Sequence, residues 1–258
     1  MPYTRWTIVT GASSGIGAEI ARQFSAIGHN LVLVARRREK LEALAAELTR
    51  ADRGAVEVIE LDLARPDAPA ELHAAVAEKG LPIHTLVNNA GFGLRGDFVD
   101  LGLEEQVAMI ELNVTALTRL SRLFLPDLIK RGQGGILNVS SLAAFQAGPH
   151  MAVYYATKAY VLSLSEALHE EAKPFGVTVT ALCPGATESE FGARAGLEGS
   201  RMFRAGRMDA AKVARIGVEA YRAGHAVSTP GARNKLVMEL NRFLPRVIMR
   251  RAAGSMQA

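Results

Sequence analysis

Short apolar runs alternate with longer amphipathic segments through the first three quarters of this 258-residue chain. Runs such as Leu31–Ala35 have no polar face, and the segments between the runs place apolar residues at helical spacing. Strands that are apolar on both faces are typical of a parallel sheet covered by helices on both sides. The alternation therefore predicts an α/β fold built on a doubly wound parallel sheet with right-handed crossovers.

The pattern places about seven strands and the helices between them. The strands are expected at Trp6–Thr10, Leu31–Ala35, Ala55–Leu61, Thr85–Asn88, Gly135–Ser140, Val177–Leu182 and Ala226–Ser228. The helices are expected at Ala18–Ile27, Glu39–Arg50, Pro66–Lys79, Leu103–Lys130, Val153–Ala172 and Asp209–Ala223, with Asp209 as the N-cap of the last. We find no repeat or linker, so residues 1–258 are expected to form one domain.

Composition excludes several classes of protein. The chain is 49% hydrophobic and 22% charged, which is typical of a globular domain and not of a disordered one. Its one cysteine cannot form an intrachain disulfide, which favours a cytoplasmic protein. The start has no pattern of a signal peptide, and no apolar run reaches the ~18 residues of a membrane-spanning helix.

The net charge of +4 is distributed unevenly. Residues 1–191 carry 17 Lys and Arg against 22 Asp and Glu, a net of −5, whereas residues 192–258 carry 13 against 4, a net of +9. A basic end of this kind fits a nucleic-acid binder, but it also fits an enzyme with an anionic ligand nearby. Aromatic residues do not interleave these basic residues as in single-strand binders, so we expect no nucleic-acid partner.

A glycine-rich turn joins the first strand to the first helix. Its glycines, Gly11, Gly15 and Gly17, allow a tight turn, a close approach of the backbone to a pyrophosphate, and close packing of helix on strand. The helix N-terminus adds N–H groups and a positive dipole end. The alternative is an ordinary strand-to-helix turn. With its context, the turn predicts a Rossmann-type nucleotide site that also includes Ser13, Ser14 and Ile16.

Several motifs in order resemble the classical short-chain dehydrogenase/reductase family over roughly residues 5–190. Beyond the glycine turn they are Asn88-Asn89-Ala90-Gly91, then Asn113, Ser141, Tyr154 with Lys158, and Pro184-Gly185. The resemblance implies a nicotinamide-dependent oxidoreductase that transfers a hydride between the cofactor and a carbonyl or secondary alcohol. It also implies a cofactor and catalytic core over about 1–190, with the substrate loop and basic C-terminal helices over about 186–258.

The end of the second strand bears on the choice of cofactor. Arg36 stands where NAD-preferring members of the family carry an acid, and Arg37 follows it. An arginine there suits the 2′-phosphate of NADP, so we expect NADP rather than NAD. A solvated helix start is the alternative. The resemblance further implies that Asp62 contacts the adenine and that Asn88, Ala90 and Gly91 line the ribose and stabilise the central sheet.

Tyr154 and Lys158 are four residues apart, which places them on one face of a helix. A nearby ammonium favours the phenolate, so the pKa of Tyr154 is expected to fall toward the working range. The resemblance implies that Tyr154 is the general acid or base, that Ser141 orients the substrate oxygen, and that Lys158 also holds the nicotinamide ribose. It selects Ser141 over Ser140 and Tyr154 over its neighbour. Asn113 would position a water in the proton relay, or cap a kink in its helix.

The segment after the sixth strand is expected to hold the nicotinamide and to close over substrate. The resemblance implies that the cofactor-binding stretch begins at Pro184 and Gly185 and holds the carboxamide through Thr187 and Ser189. The family usually has Thr at the last of these positions. Cys183 is expected to be a buried core residue. The loop beyond mixes apolar and basic residues, which suggests a substrate with an apolar body on an anionic carrier. These residues are Phe191, Arg194, Leu197, Met202, Phe203 and Arg204.

Other partners and functions stay open at this point. The scattered histidines give no metal-ligand spacing, so no metal is expected. The resemblance implies a homo-oligomer, a dimer or tetramer, through the helices around 103–131 and 152–173. A nucleotide-sensing regulator on the same fold is one alternative, although it should lack the Tyr/Lys pair. The other is a membrane-surface protein, since the apolar stripe at residues 236–248 lies among arginines and is compatible with weak contact with a membrane.

Overall fold

The computed structural model describes residues 5–50, 54–197, 200–201 and 206–257. Seven parallel strands form one sheet in these residues, in the order β3-β2-β1-β4-β5-β6-β7. The strands are β1 (Trp6–Thr10), β2 (Asn30–Ala35), β3 (Val56–Glu60), β4 (Ile83–Asn88), β5 (Gly135–Val139), β6 (Thr178–Leu182) and β7 (Val227–Ser228). The predicted doubly wound α/β fold is therefore confirmed, with strand bounds within two residues of those expected.

Helices cover both faces of this sheet. The first half contributes α1 (Gly15–Ala26), α2 (Arg38–Arg50), α3 (Ala68–Glu78), α4 (Leu103–Ile110) and α5 (Leu117–Arg131). The second half contributes α6 (Ala152–Ala172), the short α7 (Glu190–Arg194), α8 (Ala210–Arg222), α9 (Ala232–Phe243) and α10 (Arg246–Gln257). Asp209 caps α8 as predicted, because its carboxylate accepts a hydrogen bond from the Ala211 amide at 3.2 Å. None of the described helices is both long and apolar enough to cross a membrane.

Successive residues of a central strand pack into two separate hydrophobic cores, one on each face of the sheet. In β1, Val9 packs with α1, α2 and α8 on one face, while Ile8 packs with α3 and α5 on the other. Leu137 and Ile136 divide between the faces in the same way. Because side chains alternate along a strand, a central strand that is apolar throughout buries both faces. This is why the continuous apolar runs correctly predicted a covered sheet.

The helix expected over Leu103–Lys130 is wrong in one respect. A π-helical turn at Glu111–Ala116 separates α4 from α5, and the buried Asn113 lies within it. The Asn113 amide accepts a hydrogen bond from the backbone N–H of Phe92 at 3.1 Å and donates to its carbonyl at 2.9 Å. Single π-turns inside α-helices often occur at functional sites. Here the wider turn directs Asn113 toward the loop after β4.

Strand order places one functional crevice. β2 lies on one side of β1, and β4 lies on the other. The chain therefore turns in opposite directions after β1 and after β4, which opens a crevice at the carboxyl end of the sheet. Ligands of open parallel sheets bind at such a switch point. A cavity of about 1320 Å³ lies there and extends toward the C-terminal helices. The glycine turn, the ends of β4 and β5, and the start of α6 all border it.

Candidate active site

The glycine turn is held in place by the segment that follows β4. The amide of Asn89 donates to the carbonyl oxygens of Thr10 at 2.8 Å and Gly11 at 3.2 Å, and the Thr10 hydroxyl accepts the N–H groups of Asn89 and Ala90. A Cβ on Gly17 would lie 2.3 Å from the Asn89 amide nitrogen, so only glycine fits. Sequence reasoning missed Asn89 as a site residue, although it read the motif around it.

The turn forms a cradle that suits a pyrophosphate. Gly11 and Gly15 both have a positive φ, a conformation that favours glycine, and α1 begins directly at Gly15. A Cβ on Gly15 would come within 2.9 Å of Ser189, so the loop after β6 lies against the cradle. Backbone N–H groups at a helix start attract anions. These residues fit the phosphates of a dinucleotide.

Most of the predicted cofactor residues line the same cavity. They are Gly11, Ser13, Ser14, Gly15, Ile16, Arg36, Arg37, Asp62, Ala90, Gly91, Tyr154, Lys158, Pro184, Gly185, Thr187 and Ser189. Gly17 does not line the cavity. It lies beneath the turn, where the absence of a side chain leaves space for the Asn89 amide and the Gly11 carbonyl. Asn88 differs from the prediction, because its side chain is buried and donates to Ser121 and Asn138 within the core. Of its two expected roles, only stabilisation of the central sheet fits this position.

The adenosine end of the cavity carries a cluster of charges. Arg36 lies 3.6 Å from the carboxylate of Asp62. The Arg37 guanidinium donates to the hydroxyls of Ser13 and Ser14, both at 2.9 Å, so it lies across the glycine turn. Both arginines are about half exposed and border the end of β2. This position suits an anionic group on the adenosine ribose.

The predicted catalytic residues meet at the ends of β5 and α6. Tyr154 is 8% exposed, and its hydroxyl and that of Ser141 border the same cavity. Lys158 lies one turn along α6, with Nζ 2.8 Å from the Val139 carbonyl and 5.8 Å from the centre of the Tyr154 ring. Asn113 borders them from the other side, since a Cβ on Gly91 would touch both its amide oxygen and Lys158. The tertiary fold therefore brings all four predicted residues into one neighbourhood.

The selection of Ser141 over Ser140 fits the geometry. The Ser140 hydroxyl is buried and donates to the backbone carbonyl of Lys158 at 2.8 Å, so it braces the α6 helix. The Ser141 hydroxyl caps the next turn by accepting from the Ala143 amide and faces Tyr154. The hydroxyl of Tyr155 accepts from the Gln257 amide at 2.7 Å, which commits it to the C-terminal helix.

The pKa of Tyr154 shifts in the direction opposite to that expected. Burial raises the pKa of the Tyr154 phenol above its ordinary value, and the neighbouring Ser141 hydroxyl opposes only part of the rise. Burial also lowers the pKa of Lys158 to about 8, which weakens the ammonium that was expected to favour the phenolate. At neutral pH the phenol therefore holds its proton. A protonated phenol beside Ser141 is placed to donate to a carbonyl oxygen.

The rest of the cavity wall comes from α7 and α10. Phe191 on α7 packs against the Tyr154 ring, with the ring centres 5.4 Å apart. On α10, Met249, Ala252 and Met256 border the cavity. Of the loop residues named from the sequence, Phe191, Arg194 and Leu197 line the cavity, whereas Met202, Phe203 and Arg204 lie outside the described residues.

Two further predictions concern the cysteine and a possible metal site. Cys183 is fully buried, and burial raises the pKa of its thiol to about 12, as expected of an inert core cysteine. Within the described ranges, no group of histidine, cysteine and acidic side chains could hold a metal ion.

A model of the family described as short chain dehydrogenase matches residues 5–198. This chain belongs to that family. It is 37% identical over 180 residues to a very-long-chain 3-oxoacyl-CoA reductase of Mycosarcoma maydis, covering 69% of this chain and 51% of that protein. The chain thus spans about half the length of this relative. It is also 40% identical over 190 residues to a sulfoacetaldehyde reductase of Chromohalobacter salexigens, covering 73% and 74% of the two chains.

A solved structure extends the likeness over nearly the whole chain. The short-chain dehydrogenase from Sphingobium yanoikuyae, determined in complex with NADPH, has a TM-score of 0.82 and 35% identity, covering 94% of this chain and 97% of its own. With the family match and the geometry above, this supports a nicotinamide dinucleotide in the cavity. The residues present fit that group, because the glycine cradle lies at one end and Tyr154 with Ser141 at the other.

Proposed function

We propose that this chain is an NADPH-dependent carbonyl reductase in which Tyr154 donates the proton. The observation that carries the proposal is the meeting of Tyr154, Ser141 and Lys158 in a cavity that the phosphate cradle also borders. A bound nicotinamide dinucleotide would supply the hydride for the carbonyl carbon. The Ser141 hydroxyl orients the carbonyl oxygen, and the Tyr154 phenol transfers its proton to it. The raised pKa of Tyr154 suits reduction, since the donor stays protonated.

A conservative pair of variants tests the mechanism. Tyr154→Phe removes only the hydroxyl, so carbonyl reduction should fall by about 10²- to 10⁴-fold while NADPH binding is retained. Tyr155→Phe is the matched control. Tyr155 is also a buried tyrosine of α6, but its hydroxyl is hydrogen-bonded to Gln257 and not assigned to the reaction. It should retain most of its kcat. Rates are followed at the NADPH absorbance band, and undiminished turnover by Tyr154→Phe would refute the mechanism.

The proposal of NADP rather than NAD rests on Arg36 and Arg37. Both stand at the end of β2, beside the serines of the glycine turn, where a 2′-phosphate would add charge-assisted hydrogen bonds. The NADPH complex of the Sphingobium protein is consistent with this choice. Binding measured separately for NADPH and NADH tests it, and tighter binding of NADH would contradict it.

The substrate side of the cavity favours a carbonyl compound with an apolar body. Met151, Met249 and Met256 line it together with Phe191, and methionines fit apolar groups of varied shape. Arg194 stacks over the ring of Phe92 at 4.7 Å and adds a cation near the rim. A 3-oxoacyl thioester combines an apolar chain with an anionic carrier. A substrate panel of such thioesters, bulky ketones and short aldehydes tests this class, and a preference for short aldehydes would exclude it.

An exposed apolar face supports the proposed homo-oligomer. Leu103, Val107 and Ile110 lie on one side of α4 and are each 41% exposed or more, and Tyr160 on α6 is 41% exposed. Exposed apolar residues that form one face commonly mark a protein interface. A second copy of this chain would bury them. Val107→Asp should lower the mass measured by light scattering, and an unchanged mass would oppose the proposal.

The C-terminal surface, which comprises the outer faces of α9 and α10, is a second candidate for a partner. It exposes Phe243 and Ile248 between Arg242, Arg246 and Arg250. Such a face suits weak contact with an anionic membrane. Deleting these helices would also remove a wall of the cavity, so Phe243→Ser with Ile248→Ser is the better perturbation. Cosedimentation with anionic vesicles that is unaffected by this change would exclude the contact.

A further inference from the structure

Glu190 connects the substrate loop to the predicted phosphate site. It is the first residue of α7, directly after Ser189, and its carboxylate reaches back to the start of α2. One oxygen lies 2.6 Å from Nη1 of Arg37 and the other 2.5 Å from Nζ of Lys40. These ion pairs lower the pKa of Glu190 to about 2, so the carboxylate is charged at every physiological pH.

Arg37 already makes hydrogen bonds through all three of its guanidinium nitrogens. Its Nε and Nη2 donate to the hydroxyls of Ser13 and Ser14, and its remaining Nη1 donates to Glu190. One arm of the guanidinium that would bind a 2′-phosphate is therefore held by a carboxylate of the protein's own loop. A phosphate dianion that approaches Arg37 must either displace this carboxylate or lie beside it, and both cost free energy.

The two cofactors differ at this point of contact. NADPH carries a dianionic phosphate on the adenosine ribose, whereas NADH has a neutral hydroxyl that leaves the Arg37–Glu190 pair in place. The repulsion between Glu190 and the 2′-phosphate therefore acts on NADPH alone, whereas any effect of Glu190 on the shared pyrophosphate is common to both cofactors. Both Glu190 and Lys40 are about half exposed, which limits the size of the effect through solvent screening.

We infer that Glu190 is a residue that determines cofactor specificity: it competes with the 2′-phosphate for Arg37 and Lys40 and so weakens the preference for NADPH over NADH. The inference rests on the proposed binding of NADPH at Arg36 and Arg37. It assigns a function to a side chain outside the glycine turn and the β2 end.

Glu190→Gln tests the inference, because it removes the charge and retains the size and hydrogen-bonding oxygen. Calorimetric titration should show NADPH binding that is about two- to fivefold tighter, while NADH binding stays unchanged. The difference should shrink at high ionic strength, since the repulsion between exposed charges is screened. A purely structural role of Glu190 would instead alter both cofactors alike and without salt dependence.

Glu188→Gln is the matched control. Glu188 is an exposed carboxylate two residues away in the same loop, and it forms no ion pair with any described residue. It should leave the binding of both cofactors unchanged. An unchanged or weakened NADPH affinity in Glu190→Gln, or an equal gain for both cofactors, would overturn the inference about Glu190 but leave the cofactor proposal standing. Wild-type protein that binds NADH more tightly than NADPH would overturn the cofactor proposal and the inference with it.

Discussion

Replacing Asn113 by alanine tests whether this residue holds the site together. Its amide accepts the Phe92 N–H at 3.1 Å and donates to the Phe92 carbonyl at 2.9 Å and to the Thr157 hydroxyl at 3.2 Å. These bonds tie the π-helical turn to the loop after β4 and to α6. Asn113 is 2% exposed and Phe92 is 9% exposed, so water does not readily replace the amide.

The magnitude follows from the two backbone groups that lose their partner. Each buried unsatisfied donor or acceptor costs about 1–3 kcal/mol, so the N–H and carbonyl of Phe92 together cost about 2–6 kcal/mol. That is a large part of the ~5–15 kcal/mol that stabilises a typical domain. At ~2–4 °C per kcal/mol for a chain of this size, Asn113→Ala should lower the Tm by roughly 8–16 °C for a central cost of ~4 kcal/mol.

Thermal unfolding followed by circular dichroism measures this change. Glu104→Ala, an exposed residue on α4, is the control and should shift the Tm by no more than ~2 °C. A Tm for Asn113→Ala that stays within ~2 °C of the wild type would refute the structural role. If carbonyl reduction were nevertheless lost, Asn113 would act only in the proton relay, which is the other role that the sequence left open.

Three further outcomes follow from the structure. Gly17→Ala should abolish NADPH binding in a calorimetric titration, because its Cβ would lie 2.4 Å from the Gly11 carbonyl oxygen; retained affinity would show that the turn yields easily. Burial lowers the pKa of His29 and of His84 to about 4, so the unfolded chain binds more protons below pH 6.5. Stability to urea should therefore fall as the pH drops from 6.5 to 4, and replacing both histidines by glutamine should flatten that slope; an equally steep slope would contradict this reasoning. Arg36→Asp should shift the ratio of affinities toward NADH, since a carboxylate repels the 2′-phosphate, and an unchanged ratio would exclude Arg36 from the phosphate site.

The short-range patterns of the sequence predict most of the fold. The apolar strands and amphipathic helices follow from side-chain periodicity, which a local segment displays by itself. The glycine turn is visible for the same reason, because its conformation is a property of consecutive residues. The sequence offered a kink at Asn113 only as an alternative. Its π-helical form was not foreseen, because its hydrogen bonds reach to Phe92 and leave no mark on helical periodicity.

The site was predicted in part. The grouping of Ser141, Tyr154 and Lys158 depended on family resemblance, and the tertiary structure shows them together. The direction of the Tyr154 pKa was wrong, because burial of the phenol outweighs an ammonium that burial also weakens. The sequence did not show which of the adjacent Asn88 and Asn89 side chains contacts the glycine turn. The pleat of β4 decides this, since it directs Asn88 into the core and Asn89 toward the turn.

By itself the sequence determined a doubly wound sheet with a phosphate cradle, because periodicity and glycine spacing act over a few residues. Only the tertiary structure decided what surrounds that cradle. Glu190 reaches Arg37 across 153 residues of chain, and Gln257 reaches Tyr155 across 102. Such contacts depend on how distant segments pack and leave no local pattern. The α10 helix thus has two faces: one lines the cavity and the other presents arginines to solvent.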